Sequence, residues 1–179
     1  MYSSKSIKKT ISTHFRLSIV SMLLLYSVAA SSQSKDSGQL RMTQQEIINT
    51  KATGTSAPGS SNLSAVQVIV IHGDPSKVGL YTILLKVAAH TKIPAHLHPD
   101  DRVGTVVSGT WYFGYGDKFD ENELKKLPVG SIYSEVENQN HFAMTKDEPI
   151  IVEITGYGPS GVTYVNSADD PENKKYQSR

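Results

Sequence analysis

The sequence predicts an all-β domain, a sandwich or closed barrel, and three observations carry that expectation. From Ala65 onward, short runs rich in Val, Ile, Thr and Tyr alternate with Gly, Pro and Asp turn signals. No long helical periodicity interrupts them. Several runs follow at spacings of the kind found in sandwiches and barrels, too close for intervening crossover helices. The total of 179 residues suffices for one domain with a sizeable core.

The chain opens with Lys5, Lys8, Lys9 and Arg16, then an apolar run from Leu17 to Ala30 (LSIVSMLLLYSVAA). Basic residues, an apolar stretch shorter than a membrane span, and small side chains at Val28-x-Ala30 read as a secretory signal over 1–30. Cleavage is expected at Ala30/Ser31, with Ser32/Gln33 as the other option. A membrane anchor is the competing reading of this segment. The formal charge is +1, but removing the four basic residues of the signal leaves 14 basic against 17 acidic, a net −3. A mildly acidic exported domain argues against nucleic-acid binding, and no later segment is apolar enough to span a bilayer. Export places the protein in the periplasm or outside the cell. Cysteine is absent, which excludes disulfides, a lipoprotein anchor, thiolate metal sites and a cysteine nucleophile.

Residues 31–64 are Ser-, Thr-, Gln- and Gly-rich and read as a flexible leader, with one amphipathic stretch, Gln39–Thr50, able to form a helix. The β-type runs then follow in order: VQVIVIHG, LYTILLKVAA, KIPAHLH, RVGTVVSG, TWYFGYG, GSIYSEVE, FAMT, PIIVEITGYG and VTYV. They place the domain at 65–165. Asp120-x-x-Glu123 is a capping signature, and Leu124 and Leu127 share a face before Pro128, so a short helix is expected there. The polar tail 166–179 is expected to be disordered. His72 and His90 lie beside turn residues and are expected at the surface.

The sharpest chemical feature is His96-Leu97-His98. Residues two apart on a strand face the same way, so both imidazoles point to one side. Neutral imidazole ligates iron, manganese, nickel, copper or zinc. Alone the pattern is weak, since surface histidines recur often. A third histidine, His141, lies in a separate β-type segment.

These residues carry a resemblance. Ala89–Gly109 is similar to the first cupin motif, in which a glycine precedes HxH and a glutamate and a second glycine follow; His96, His98 and Gly109 match. Gly130–Thr145 resembles the second motif, with Gly130 and His141 at the right separation. The likeness covers roughly 66–165 and implies a double-stranded β-helix (cupin or jelly-roll) barrel, with the short helix between the two motifs. It also implies a divalent metal on His96, His98 and His141 inside the barrel. There are departures. Arg102 stands where the family has its glutamate ligand, and His90 replaces the leading glycine. Val136 and Asn138 replace proline and glycine, and Thr145 the closing asparagine. Arginine cannot ligate a cation, so three histidines are the expected ligand set, with Asp100 or Asp101 as a candidate fourth.

Arg102 beside an ion favours an anionic substrate or developing negative charge; alternatively it pairs with Asp100, Asp101 or Glu135 and braces the barrel mouth. A two-residue hairpin at Ser108-Gly109 sets Gly104 opposite Phe113 and Arg102 opposite Tyr115. Trp111, Phe113 and Tyr115 then line the interior, as substrate wall or as ordinary core. Three functions follow: a non-haem metal oxygenase acting on a small anionic or aromatic compound, a non-catalytic binding or sensing cupin, or a metal-dependent isomerase or lyase with Glu135 or Tyr133 as base. A homodimer through sheet edges is the expected assembly.

Overall fold

β-Branched and aromatic residues at alternate positions force the chain into extended segments with one apolar face. In the computed structural model, which describes residues 39–52 and 56–173, these segments are β1 (Val66–His72), β2 (Gly79–Val87), β3 (Lys92–Leu97), β4 (Arg102–Ser108), β5 (Trp111–Tyr115), β6 (Lys125–Leu127), β7 (Ile132–Glu135), β8 (His141–Met144), β9 (Ile150–Gly158) and β10 (Thr163–Tyr164). They form two five-stranded sheets, β1-β2-β9-β4-β7 and β10-β3-β8-β5-β6. All paired strands run antiparallel.

After β2 the path switches sheets at nearly every step: β3 joins the second sheet, β4 the first, β5 and β6 the second, and β7 to β10 alternate. That winding is a double-stranded β-helix. Inward side chains from both sheets fill the space between, with Tyr81, Ile83, Val152 and Ile154 fully buried. The expected all-β barrel is therefore present.

Two local expectations need correction. Ser108-Gly109 is not a hairpin. β4 pairs with β7 and β9, whereas β5 pairs with β6 and β8 in the opposite sheet. The two residues form a corner where the chain crosses over. Gly109 sits there at φ +75°, with a Cβ excluded by the Pro149 carbonyl 2.6 Å away. Gly104 does make room for a ring, but the ring is that of its β7 partner Tyr133, 2.3 Å from where a Cβ would stand.

The second correction concerns 120–127. The short helix expected behind Asp120 is present as one 3-10 turn, Glu121–Glu123, with the Asp120 carboxylate accepting from Asn122 N–H, but it does not run on to Leu127. Lys125–Leu127 instead adds to the edge of β5, Leu127 opposite Trp111 and buried in the core. A two-turn helix would be marginal in isolation, and the strand edge offers ladder hydrogen bonds and a place for Leu127.

Ahead of the barrel, α1 (Gln44–Asn49) starts with a capping box between Thr43 and Glu46. Lys86 Nζ holds its last turn by donating to the carbonyls of Ile48 and Thr50, at 2.8 and 2.5 Å. Ser60 and Ser61 are buried, and Ala57 and Leu63 pack on the core. So part of the stretch read as a flexible leader lies against the barrel. Among the described residues no helix is long and apolar enough to cross a membrane. The expected signal at 1–30, and the end of the tail beyond 173, fall outside the described residues.

Candidate metal centre

Two cross-strand rows face each other at one end of the barrel. On one sheet, antiparallel register aligns Tyr164, His96, His141 and Tyr115. On the other it aligns Tyr81, Gly156, Arg102 and Glu135. A one-residue irregularity in β3 places His96 in its row: Ile93 pairs with Ala143, and three residues later His96 pairs with His141, two residues earlier on β8. This β-bulge resets the alternation so that Ile93 and His96 both face inward. Pro94, which lacks the N–H a regular ladder needs, sits within it. His98, two residues on, also faces inward.

The three imidazoles are at most 5 % exposed. Their ring centroids lie 4.4 to 5.1 Å apart, and their ligand nitrogens all fall within 4.8 Å of one another. Each Nδ1 faces a backbone carbonyl: Pro94 for His96 at 2.7 Å, Gly161 for His98 at 2.5 Å, and Gln139 for His141 at 3.2 Å. A carbonyl oxygen only accepts, so each Nδ1 carries the proton and each Nε2 presents a lone pair. The Nε2 atoms of His98 and His141 are buried with no hydrogen-bond partner. Orphaned acceptors of this kind are rare in folded proteins. Imidazoles oriented through Nδ1 with Nε2 converging form a donor set suited to a divalent ion. The residues present fit the metal that the resemblance implied.

Arg102 and Glu135 are buried opposite the histidines. The Arg102 guanidinium donates through Nε and Nη2 to Glu135 Oε2 and through Nη1 to the Gly59 carbonyl at 2.8 Å. Of the alternatives for Arg102, the structure shows the bracing pair with Glu135. Glu135 Oε2 lies 3.7 Å from His98 Nε2, and Oε1 lies 3.8 Å from His141 Nε2. The expected fourth ligands are committed elsewhere. Asp100 accepts from Tyr81 Oη and Ser160 Oγ, both at 2.7 Å. Asp101 is exposed and accepts from the Glu137 N–H.

The aromatic wall is placed only in part. Trp111 and Phe113 are buried, and Phe113 stacks on His141 at 5.3 Å. Tyr115 is 55 % exposed. It stands at the rim, its hydroxyl donating to the Ser134 carbonyl at 2.8 Å. The deeper ring is Tyr133, 4.4 Å from Phe113; its hydroxyl and the Trp111 indole N–H have no partner among the described residues. The departures from the family's glycines keep the backbone those glycines serve: His90 and Asn138 both adopt φ +56°.

No protein-family model matches the sequence, and no curated protein matches it. Solved structures do. The polyketide cyclase RemF from Streptomyces resistomycificus superposes with a TM-score of 0.57 at 14 % identity, over 77 % of this chain and 93 % of its own. A conserved protein with a double-stranded β-helix domain from Klebsiella pneumoniae gives 0.51 at 18 % identity, over 72 % and 99 %. The DMSP lyase DddQ from Ruegeria pomeroyi gives 0.47 at 18 % identity, over 68 % of this chain; the chain spans only 56 % of that lyase. The fold they share with this chain is the double-stranded β-helix. At these identities the likeness establishes the double-stranded β-helix alone.

Burial, joined by the neighbouring His141 charge, pulls the titration of His96 down to about 3. Burial and the Arg102 guanidinium do the same for His141, also to about 3, and push His98 well below 6.5. An unfolded histidine protonates near 6.5, so between about 6.5 and 3 the unfolded chain binds protons that the metal-free site refuses. Stability is therefore complete above that window and declines as the pH falls through it, by up to about 1.4 kcal/mol per pH unit for each histidine. Urea midpoints of chelator-treated protein should drop between pH 7 and pH 5, and H96Q/H98Q/H141Q should flatten the slope. An unchanged midpoint in the unsubstituted protein contradicts this electrostatic picture.

Proposed function

We propose that the protein is an exported metal-dependent enzyme, a cupin-type non-haem oxygenase acting on a small anionic or aromatic compound. The observation that carries the reading is three buried imidazoles whose ligand nitrogens lie within 4.8 Å of one another, each ring held by an Nδ1–carbonyl contact that leaves its Nε2 free of a proton. A redox-active divalent ion held by His96, His98 and His141 would supply Lewis acidity and redox chemistry toward a bound substrate.

The protein's own residues set what can approach. Arg102, Glu135 and Asp100 are all buried beside the site, so one guanidinium meets two carboxylates. With a dication bound, the centre keeps a net single positive charge and favours an anionic ligand. Phe113 and Tyr133 fill the depth of the barrel, leaving the rim at Tyr115 as the side of approach. Burial, reinforced by the Glu135 charge, raises Tyr133 well above 10. Its hydroxyl therefore stays protonated, and it serves as a hydrogen-bond donor, not as a base.

Two measurements test this reading. Freshly purified protein should carry one divalent ion per chain by mass spectrometric metal analysis, and H98A and H141A should each lose it. Iron-loaded protein should consume oxygen in step with product when offered hydroxylated aromatic or keto acids. Ligand-induced thermal stabilisation without turnover would make the barrel a binding or sensing cupin; turnover under strict anaerobiosis would make it an isomerase or lyase.

Export rests on the composition of residues 1–30. The intact mass of protein recovered outside the cytoplasm should correspond to a chain starting at Ser31 or Gln33; a chain retaining Met1 overturns that part.

A further inference from the structure

We infer that Glu135 is the fourth protein ligand of the metal, the carboxylate being presented from β7 across the ladder from Arg102. The inference rests on the three-histidine reading and adds to it.

At this point of the barrel, acceptors face acceptors. Glu135 Oε2 and Oε1 lie 3.7 and 3.8 Å from the Nε2 atoms of His98 and His141. Both nitrogens present lone pairs, because their protons sit on Nδ1. These separations are too long for a hydrogen bond, and lone pairs aimed at a carboxylate repel unless a cation lies between them. Atoms bound to one ion at about 2.0–2.2 Å stand roughly 3.0–3.5 Å from each other in tetrahedral or octahedral geometry. The observed separations exceed that by a few tenths of an ångström, a contraction that side-chain torsions accommodate.

The carboxylate is also held for the task. Arg102 occupies Oε2 through Nε and Nη2 and is itself fixed by the Gly59 carbonyl. No hydrogen bond among the described residues reaches Oε1. The guanidinium orients the carboxylate as the three carbonyls orient the imidazoles. Register explains how the chain does without a carboxylate at 102: Arg102 and Glu135 are direct cross-strand partners on β4 and β7, so moving the acid to 135 keeps it at the level of the histidines. The other two nearby carboxylates do not compete. Asp100 is engaged through both oxygens, and Asp101 points to solvent.

Cobalt(II) titration of the metal-free full chain tests this, read by visible absorption and by infrared difference spectra of the carboxylate stretches. In the unsubstituted protein cobalt uptake should shift one carboxylate band, and D100N should retain that shift. E135Q should lose the shift, change the cobalt absorption and weaken affinity by more than the 10- to 100-fold typical of a lost outer partner. Because E135Q leaves a buried guanidinium unpaired, R102Q/E135Q provides a charge-neutral companion with the same expected loss. Cobalt binding by E135Q or R102Q/E135Q within about threefold of the unsubstituted protein, with H98A still abolishing it, overturns the ligand role of Glu135 and leaves the three-histidine site standing. If the unsubstituted protein takes up no cobalt, both fall. Should neither variant fold, an unsubstituted difference spectrum without a carboxylate shift overturns the inference by itself.

Discussion

Three backbone carbonyls decide what the barrel mouth can do. Pro94, Gln139 and Gly161 each face an Nδ1, which fixes tautomer and ring orientation together and turns the opposite nitrogens toward one another. As built, His98 and His141 keep buried acceptors without partners, at a cost of about 1–3 kcal/mol each. A cation lying between them would satisfy both acceptors at once.

The rest of the mouth supports that arrangement. Tyr81, Asp100 and Ser160 form one chain of hydrogen bonds, buried at Tyr81 and Asp100, and Tyr164 is tied to the Ser61 carbonyl at 2.5 Å. Through Gly59 and Ser61 the segment ahead of β1 becomes part of the wall. The Arg102–Glu135 pair is weak evidence of stabilisation, since desolvating two charges offsets much of their attraction. Its position is more telling than its strength, because it sets a fixed carboxylate opposite three neutral nitrogens.

Much of this was legible in the sequence, for identifiable reasons. His96 and His98 share a face because strand periodicity is two, and that rule is local. His141 could be joined to them because its distance from Gly130 matched a known motif. The all-β class followed from run lengths and turns. The Ser108-Gly109 corner was misread because a two-residue turn has the same local chemistry in a hairpin and in a crossover between sheets; only the partners, β9 and β6, distinguish them. Tyr115 shares the face of Phe113, as strand periodicity requires, but it ends β5 and so stands at the rim. Glu135 was named only as a base or as a mate for Arg102, because its place at the centre depends on the register of β4 against β7. The carbonyl that orients His98 lies 63 residues downstream. No local pattern announces such a contact.

The central claim is that the three Nε2 atoms share one ion. X-ray absorption fine structure at the metal edge of the purified protein tests it most directly. The account predicts a first shell of nitrogen and oxygen with multiple scattering from three imidazoles. A metal-free protein, or a shell with fewer than three imidazoles, contradicts it.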